Sequence, residues 1–467
     1  MVHDAFLPPA KRVAASHASA AELNEPSLIG PWEGGSRVLL RRTLYRKTLA
    51  VLDGGTSIYF FWRLDVMKKM ALIVGCLTVF TASAHAQSSV TLYGILDEGF
   101  NWNSNAGGKN LYNLTSGVMQ GSRWGLKGAE DLGGGFKAIF VLENGFDVSN
   151  GSLGQRNYRG STQGLMFGRQ AYVGVSSTYG TVTLGRQYES IVDYVGQFEA
   201  ATQWGGFISS HPGDLDNFNN LYRANNAVKF TSVNYGGLTF GGLYSLGGVA
   251  GDTTRNQVWS VGANYARGPV SFSAAYLNAR NPNVGFFGDN GASTAVTPAA
   301  STIASPVYSG YASAHTYQVI GAGGSYNFGA ATIGATYSNI QFRNLGDTAT
   351  SGPNPLGYQG NAKFNNAEVN VKYQFTPALL VGAAFDYTKG DSVATAAGST
   401  GGVKYYQGAL GIDYFLSKRT DVYLIGVYQK ASGTDSTGAT AVASITNLTP
   451  STSDRQSTVR AGIRHKF

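Results

Sequence analysis

TVTLGRQY (Thr181–Tyr188) and YRANNAVKFTSVNY (Tyr222–Tyr235) alternate apolar and polar residues, whereas ESIVDYVGQFEAATQWGGFISSHPGDLDNFNNL (Glu189–Leu221) between them does not. The flanks read as β-strands, because a strand turns successive side chains to opposite faces. The 33 residues between them exceed the length of an ordinary connection. They carry Ile191, Val192, Tyr194, Val195, Phe198, Trp204, Phe207 and Ile208, too apolar a set for a disordered segment. A loop of this composition needs an enclosing wall to pack against.

The composition describes that wall. The chain has 467 residues and 63 glycines; aromatic residues make up 12% and charged residues 13%. Soluble domains carry about 25% charged residues, yet the mean hydropathy is only −0.10. Strands with one apolar and one polar face satisfy both facts, as in a transmembrane barrel with a wet lumen. One stretch has the order of a secretory signal: Lys68-Lys69, an apolar run from Ala71 to Phe80, and Ala84-His85-Ala86 before Gln87. Residues 67–86 are therefore expected to be a signal peptide. Residues 1–66 are expected to be an upstream extension or mis-assigned start outside the fold, and residues 87–467 the barrel. Ten Lys/Arg and six Asp/Glu precede Gln87, leaving 25 basic against 21 acidic residues, a net +4. So small a charge does not point to nucleic acid. The sole cysteine, Cys76, lies in the signal, so residues 87–467 have no disulfide framework.

Sixteen strand-like runs follow from Val90 to Phe467, among them Val118–Glu130 read as one strand. Short turns such as Thr178–Tyr179, Gly329 and Thr376–Pro377 alternate with long connections such as Arg280–Ala314 and Ala431–Thr452. An even strand count with short turns at one end and long loops at the other is the pattern of an outer-membrane barrel. The expected fold is all-β, a transmembrane 16-stranded antiparallel β-barrel with an inward-folded third loop. Side-chain parity assigns the faces. Val459, Ala461, Ile463, His465 and Phe467 share one side of the last strand, and Arg460, Arg464 and Lys466 the other. By the same parity Arg123 and Lys127 oppose Ser122, Trp124 and Leu126, and Lys137 and Glu143 oppose Ala138, Phe140 and Leu142. Charges are costly on a lipid face, so Lys127, Lys137, Arg460 and Arg464 are expected to face a watery lumen.

Three blocks carry a family likeness: SSVTLYGILDEGF (88–100), GSRWGLKGAEDLGGGFKAIFVLENGF (121–146) and TLGRQYESIVDYVGQF (183–198), with the terminal Phe467. Together with the signal they resemble the Gram-negative general diffusion porins, most of all the betaproteobacterial type. The resemblance implies an outer-membrane homotrimer, in contact with lipid, whose third loop (189–221) narrows a pore. It also implies a constriction in which wall arginines face loop acids. Arg123 of SRWGLKG, Arg186 of LGRQY and Arg223 of LYRANN match the wall arginines, and Glu143 of LENGF a wall carboxylate. Glu199 of FEAATQWGG falls where the family has a loop acid, and Gln203 where enterobacterial members carry a second one. One negative group fewer argues against cation preference, and Arg123, Arg186 and Arg223 against Glu143 and Glu199 point to a slight anion preference. Parity sets Arg186 in phase with Val182 and Leu184, toward lipid, unless a bulge or strand end near Gly185 re-aims it.

The implied activity is passive diffusion of small hydrophilic solutes and ions. Alternatives are a sugar- or phosphate-selective channel, with Tyr188, Tyr194, Phe198, Trp204 and Phe207 as an aromatic ladder, or an outer-membrane enzyme or adhesin. No cofactor is indicated. His211, His315 and His465 lack metal-site spacing, and His211-Pro212-Gly213-Asp214 reads as a loop turn. No G-x-S-x-G elbow is present.

Overall fold

The computed structural model describes residues 89–154, 164–289 and 301–467. The expected extension and signal (1–66 and 67–86) lie outside the described residues. The first half of the wall comprises β1 (Ser89–Ala106), β2 (Lys109–Ser116), β3 (Arg123–Gly133), β4 (Phe136–Gly145), β5 (Gln170–Ser177), β6 (Gly180–Gln187), β7 (Ala224–Ser232), β8 (Leu238–Ser245) and β9 (Val258–Arg267). The second comprises β10 (Val270–Arg280), β11 (Ala314–Phe328), β12 (Ala331–Leu345), β13 (Gly360–Thr376), β14 (Leu379–Gly390), β17 (Val403–Phe415), β18 (Thr420–Gly433) and β19 (Arg455–Lys466). A two-residue hairpin, β15 (Ala394–Thr395) with β16 (Gly398–Ser399), decorates the loop before β17.

Each wall strand pairs antiparallel with its neighbours, and β19 pairs with β1 to close the barrel. At the seam Gly94 and Phe467 exchange N–H···O bonds of 3.1 Å each way. Seventeen segments make sixteen wall positions, because β2 and β3 both pair with β1: β2 with Glu98–Ala106 and β3 with Ser89–Ile95. This corrects the expected strand Val118–Glu130. After a turn at Gly107-Gly108 the chain returns at once as KNLYNLTS, with Tyr112 and Leu114 outward and exposed. It then breaks at Gly117 (φ +74°) and resumes at Arg123. The break tucks Val118 and Met119 inside, and it buries Ser122, whose Oγ accepts from the Asp97 N–H at 3.0 Å. The face shared with Trp124 and Leu126 therefore does not extend back to Ser122.

Elsewhere the two faces follow parity. Val173, Val175, Leu184, Leu410, Val459 and Ile463 are exposed outward. Continuous apolar exposure of this extent marks a surface that meets lipid or protein. On β19 the inward Arg460 is fully buried and Arg464 is 6% exposed. Arg460 donates to Tyr423 Oη (2.8 Å), Asn101 Oδ1 (2.9 Å) and Thr115 Oγ1 (2.8 Å), and it pairs with Asp97 (3.1 Å). Arg464 pairs with Asp421 (3.0 Å) and Asp413 (3.4 Å). Neither meets open water. Packed segments inside the barrel cover this stretch of wall, and wall carboxylates take the place of solvent.

The chief inner segment is residues 188–223, five short helical turns between Ile191 and Asp214. Its apolar side chains seat against glycines of the wall, which let another chain approach closely. Trp204 lies over Gly382 of β14 and Gly411 of β17, where a methyl group on Gly411 would come within 2.6 Å of the indole. Tyr194 lies over Gly262 of β9 and Phe198 over Gly323 of β11. Buried loop carbonyls must find donors, and wall side chains supply them. Asn370 Nδ2 donates to Phe198 O (2.8 Å), Gln407 Nε2 to Ser210 O (2.9 Å) and Tyr317 Oη to Leu215 O (2.7 Å).

Candidate functional site

Between this inner loop and the wall of β3–β7 lies a cavity of about 490 Å³. Arg123, Arg169 and Arg223 line the wall side, and Gln197, Thr202 and Asn219 the loop side. Among the described residues no carboxylate lines it. Each guanidinium is held by the backbone or by a buried acid. Arg123 Nε donates to Gly121 O (2.8 Å), at the strand break. Arg223 Nη1 donates to Leu221 O (3.1 Å), with its guanidinium 5.6 Å from the Tyr188 ring centroid. Burial and the nearby Arg169 charge push Arg223 down to about 9, which leaves it charged at neutral pH.

Arg169 was not among the expected site residues. Its Nε donates to Glu143 Oε1 (2.7 Å) and its Nη2 to Tyr188 Oη (2.9 Å). Tyr93 Oη donates to the other Glu143 oxygen at 3.0 Å. Glu143, on β4 of the wall, thus sits behind Arg169 and outside the cavity lining. The signal for Arg169 was a repeated tripeptide: Gly168-Arg169-Gln170 and Gly185-Arg186-Gln187 stand at the loop-side ends of the adjacent β5 and β6.

Arg186 lies beside this set and not in the cavity lining. Its Nε donates to Gly168 O (2.7 Å), and its Nη1 bonds Asn225 Oδ1 (2.6 Å) and pairs with Asp289 of the loop after β10. A bulge lies beside Gly185, but its extra residue is on the partner strand β7, so β6 keeps its alternation through Gln187. Between the pairs Gly185↔Ala227 and Gln187↔Ala224, β6 advances two residues and β7 three, with Asn226 at φ +49°. Lys127 is exposed inside, its Nζ 5.3 Å from the Tyr93 ring centroid, and Lys137 is exposed opposite Asp131.

Two loop residues differ from expectation. Glu199 is completely buried and points at the wall, accepting the His211 N–H at 3.0 Å. Gln203 donates to Phe198 O (2.9 Å) and to Asn370 Oδ1 of β13 (3.4 Å). Neither lines the arginine cavity. The other loop acids are likewise engaged. Asp193 pairs with Lys229, and Glu189, pushed up to about 8 by burial, accepts from Ile191 N (2.5 Å) and Asn217 Nδ2 (3.1 Å). Of the aromatic ladder, only Tyr188 and Phe207 line the cavity; Tyr194, Phe198 and Trp204 are buried as anchors.

Residues 71–434 match the family model described as Gram-negative porin. An outer membrane porin protein of Bordetella pertussis is 29% identical over 436 residues, covering 86% of this chain and all of the relative. Outer membrane porin protein 32 of Delftia acidovorans is 28% identical over 416 residues with the same coverage. Among solved structures, an anion-selective porin from Comamonas acidovorans superposes with TM-score 0.60 at 22% identity, covering 81% of this chain and all of that one. The trimer form of an outer membrane protein from Vibrio cholerae gives TM-score 0.53 at 16% identity, covering 81% and 99%.

Proposed function

The chain belongs to the Gram-negative porin family and is an outer-membrane channel, and from that premise we propose that its constriction is the arginine-lined cavity and that it favours small anions. One observation carries this reading: three guanidiniums face a cavity lined by no carboxylate among the described residues. Fixed charge of one sign along a narrow wet path filters ions by sign, and its low-dielectric walls focus the field. The loop acids that would oppose the arginines are spent elsewhere, with Glu199 buried against the wall and Asp193 paired to Lys229. The preference is therefore more pronounced than the residue count suggested. The name of the Comamonas neighbour agrees with it. Small hydrophilic solutes pass by the same path, because Gln197, Thr202 and Asn219 offer exchangeable hydrogen bonds opposite the arginines. The enzyme and adhesin alternatives gain nothing from these relatives, which are porins by name.

In planar bilayers separating two KCl concentrations, the zero-current potential should take the sign of chloride permeation. A potential of the potassium sign overturns the proposal.

The assembly read here is a homotrimer packed through the β1–β2 face. Glu98 shares the outward side of β1 with Leu96 and Phe100 and accepts from Ser149 Oγ at 2.8 Å. A carboxylate is disfavoured against lipid, and a neighbouring copy would shield it. Cross-linking of intact outer membranes should give a product of three chains. Recovery of single chains alone counts against the trimer.

A further inference from the structure

We propose that His211, Glu199, Glu368 and Asp386 form a site for one divalent transition-metal ion of the zinc class, which fastens the inner loop to β13 and β14. Glu199 and His211 come from the loop, and Glu368 and Asp386 from those two strands. All four are buried, at 0–2% exposure. His211 Nε2 lies 3.6 Å from Glu368 Oε2 and 3.8 Å from Asp386 Oδ2, and the Glu199, His211 and Glu368 donor atoms lie within 4.8 Å of one another. Metal–ligand distances of about 2.0–2.1 Å in a tetrahedron set ligand atoms roughly 3.3 Å apart. A small inward movement of side chains therefore completes the polyhedron.

The histidine is set up for this role. Asp216 Oδ2 lies 2.7 Å from His211 Nδ1 and also accepts from Ser338 Oγ at 2.6 Å. A carboxylate on one ring nitrogen fixes the tautomer and leaves the other as a lone pair, as in carboxylate–histidine–metal arrangements. That other nitrogen, Nε2, is buried with no hydrogen-bond partner among the described residues, and so is Glu199 Oε2.

Each carboxylate is oriented through its remaining hydrogen bonds. Glu368 Oε1 accepts from Ala200 N (2.8 Å) and Asn370 Nδ2 (2.7 Å), which leaves Oε2 to face His211. Asp386 Oδ1 accepts from Thr388 Oγ1 (3.3 Å), and Oδ2, which faces His211, also accepts from Asn366 Nδ2, so a metal there shares that oxygen with the amide. Four carboxylates around one imidazole, all out of water, need more positive charge than a single ring can carry, and a dication supplies it. The imidazole selects zinc-class ions over calcium or magnesium, which want six or more oxygens. Four protein ligands leave no open position, so the site would be structural and not catalytic. Local spacing could not show it, because the strand ligands lie 157 to 187 residues beyond the loop ligands.

The test uses the full-length channel, refolded from denaturant with chelator or with zinc chloride, then dialysed. Elemental analysis should find about one zinc per chain in the zinc sample, and zinc should raise the melting temperature. Glu368→Gln keeps the acceptor for Ala200 and Asn370 yet loses the charged ligand. It should fold and lose at least tenfold in zinc affinity, the scale on which such sites respond to a lost support. His211→Gln should do the same. The proposal is overturned if folded wild-type protein retains no zinc, or if it retains as much zinc as both folded variants.

Discussion

Replacing Arg123 and Arg223 together by glutamate should turn the proposed anion preference into a cation preference. Both side chains line the cavity on the β3–β7 side, and Arg169 beside them is neutralised by Glu143 at 2.7 Å. The two therefore carry two of the three guanidinium charges that line the cavity. A unit charge about 4 Å from an ion is worth roughly 1 kcal/mol even in a water-like medium. Reversing two such charges is expected to swing the chloride-to-potassium permeability ratio by at least about tenfold after salt screening. Reversal-potential measurements on the double variant check this, with heat-modifiable gel mobility as the control for folding. Arg186→Ala should shift the ratio much less, because Asp289 already pairs with it and it stands off the cavity. If the double variant still prefers chloride, the path for ions lies elsewhere in the barrel.

Gly382→Leu should widen the channel. The wall is bare at Gly382 because the Trp204 indole lies on it, and a side chain there would occupy the same space. Trp204 is 1% exposed, and loss of a buried tryptophan from its seat costs about 3–5 kcal/mol. That exceeds what a loop of short helical turns recovers locally. The loop should leave the wall, raising single-channel conductance and exposing residues 189–221 to added protease. Gly408→Ala is the matched control, since nothing lies within 4 Å of a methyl group placed there. Adding Trp204→Ala to Gly382→Leu should cost less than the sum of the single changes, the mark of groups in contact. Unchanged conductance in Gly382→Leu would show that Trp204 does not anchor the loop.

The wall was largely legible in the sequence. Alternation alone placed Arg460 and Arg464 inward and Val459 and Ile463 outward, because lipid and lumen impose opposite chemistry on adjacent residues. It failed at Val118–Ser122, where Gly117 at φ +74° turns an apolar run inside the barrel. Parity has no means of telling an inward plug from an outward face. Arg123, Arg223 and Glu143 were proposed through the family likeness, whereas Arg169, which lines the same cavity, was passed over although its tripeptide repeats at Arg186. Glu199 shows the limit most plainly. Whether a loop acid meets water depends on which wall residues lie behind it, and those are Glu368 and Asp386, far along the chain.

The order in which the chain is made bears on how the throat arises. Residues 189–221 leave the ribosome before β8–β19, yet every glycine seat named above lies on a later strand: β9, β11, β14 and β17. Trp204, Phe198 and Tyr194 have nowhere to dock until the second half has been laid down. Contacts so distant in sequence form late, and exposed aromatic segments are prone to aggregate while they wait. Docking of the loop thus presupposes the second half of the wall, and a chain cut short before β14 has no seat for Trp204.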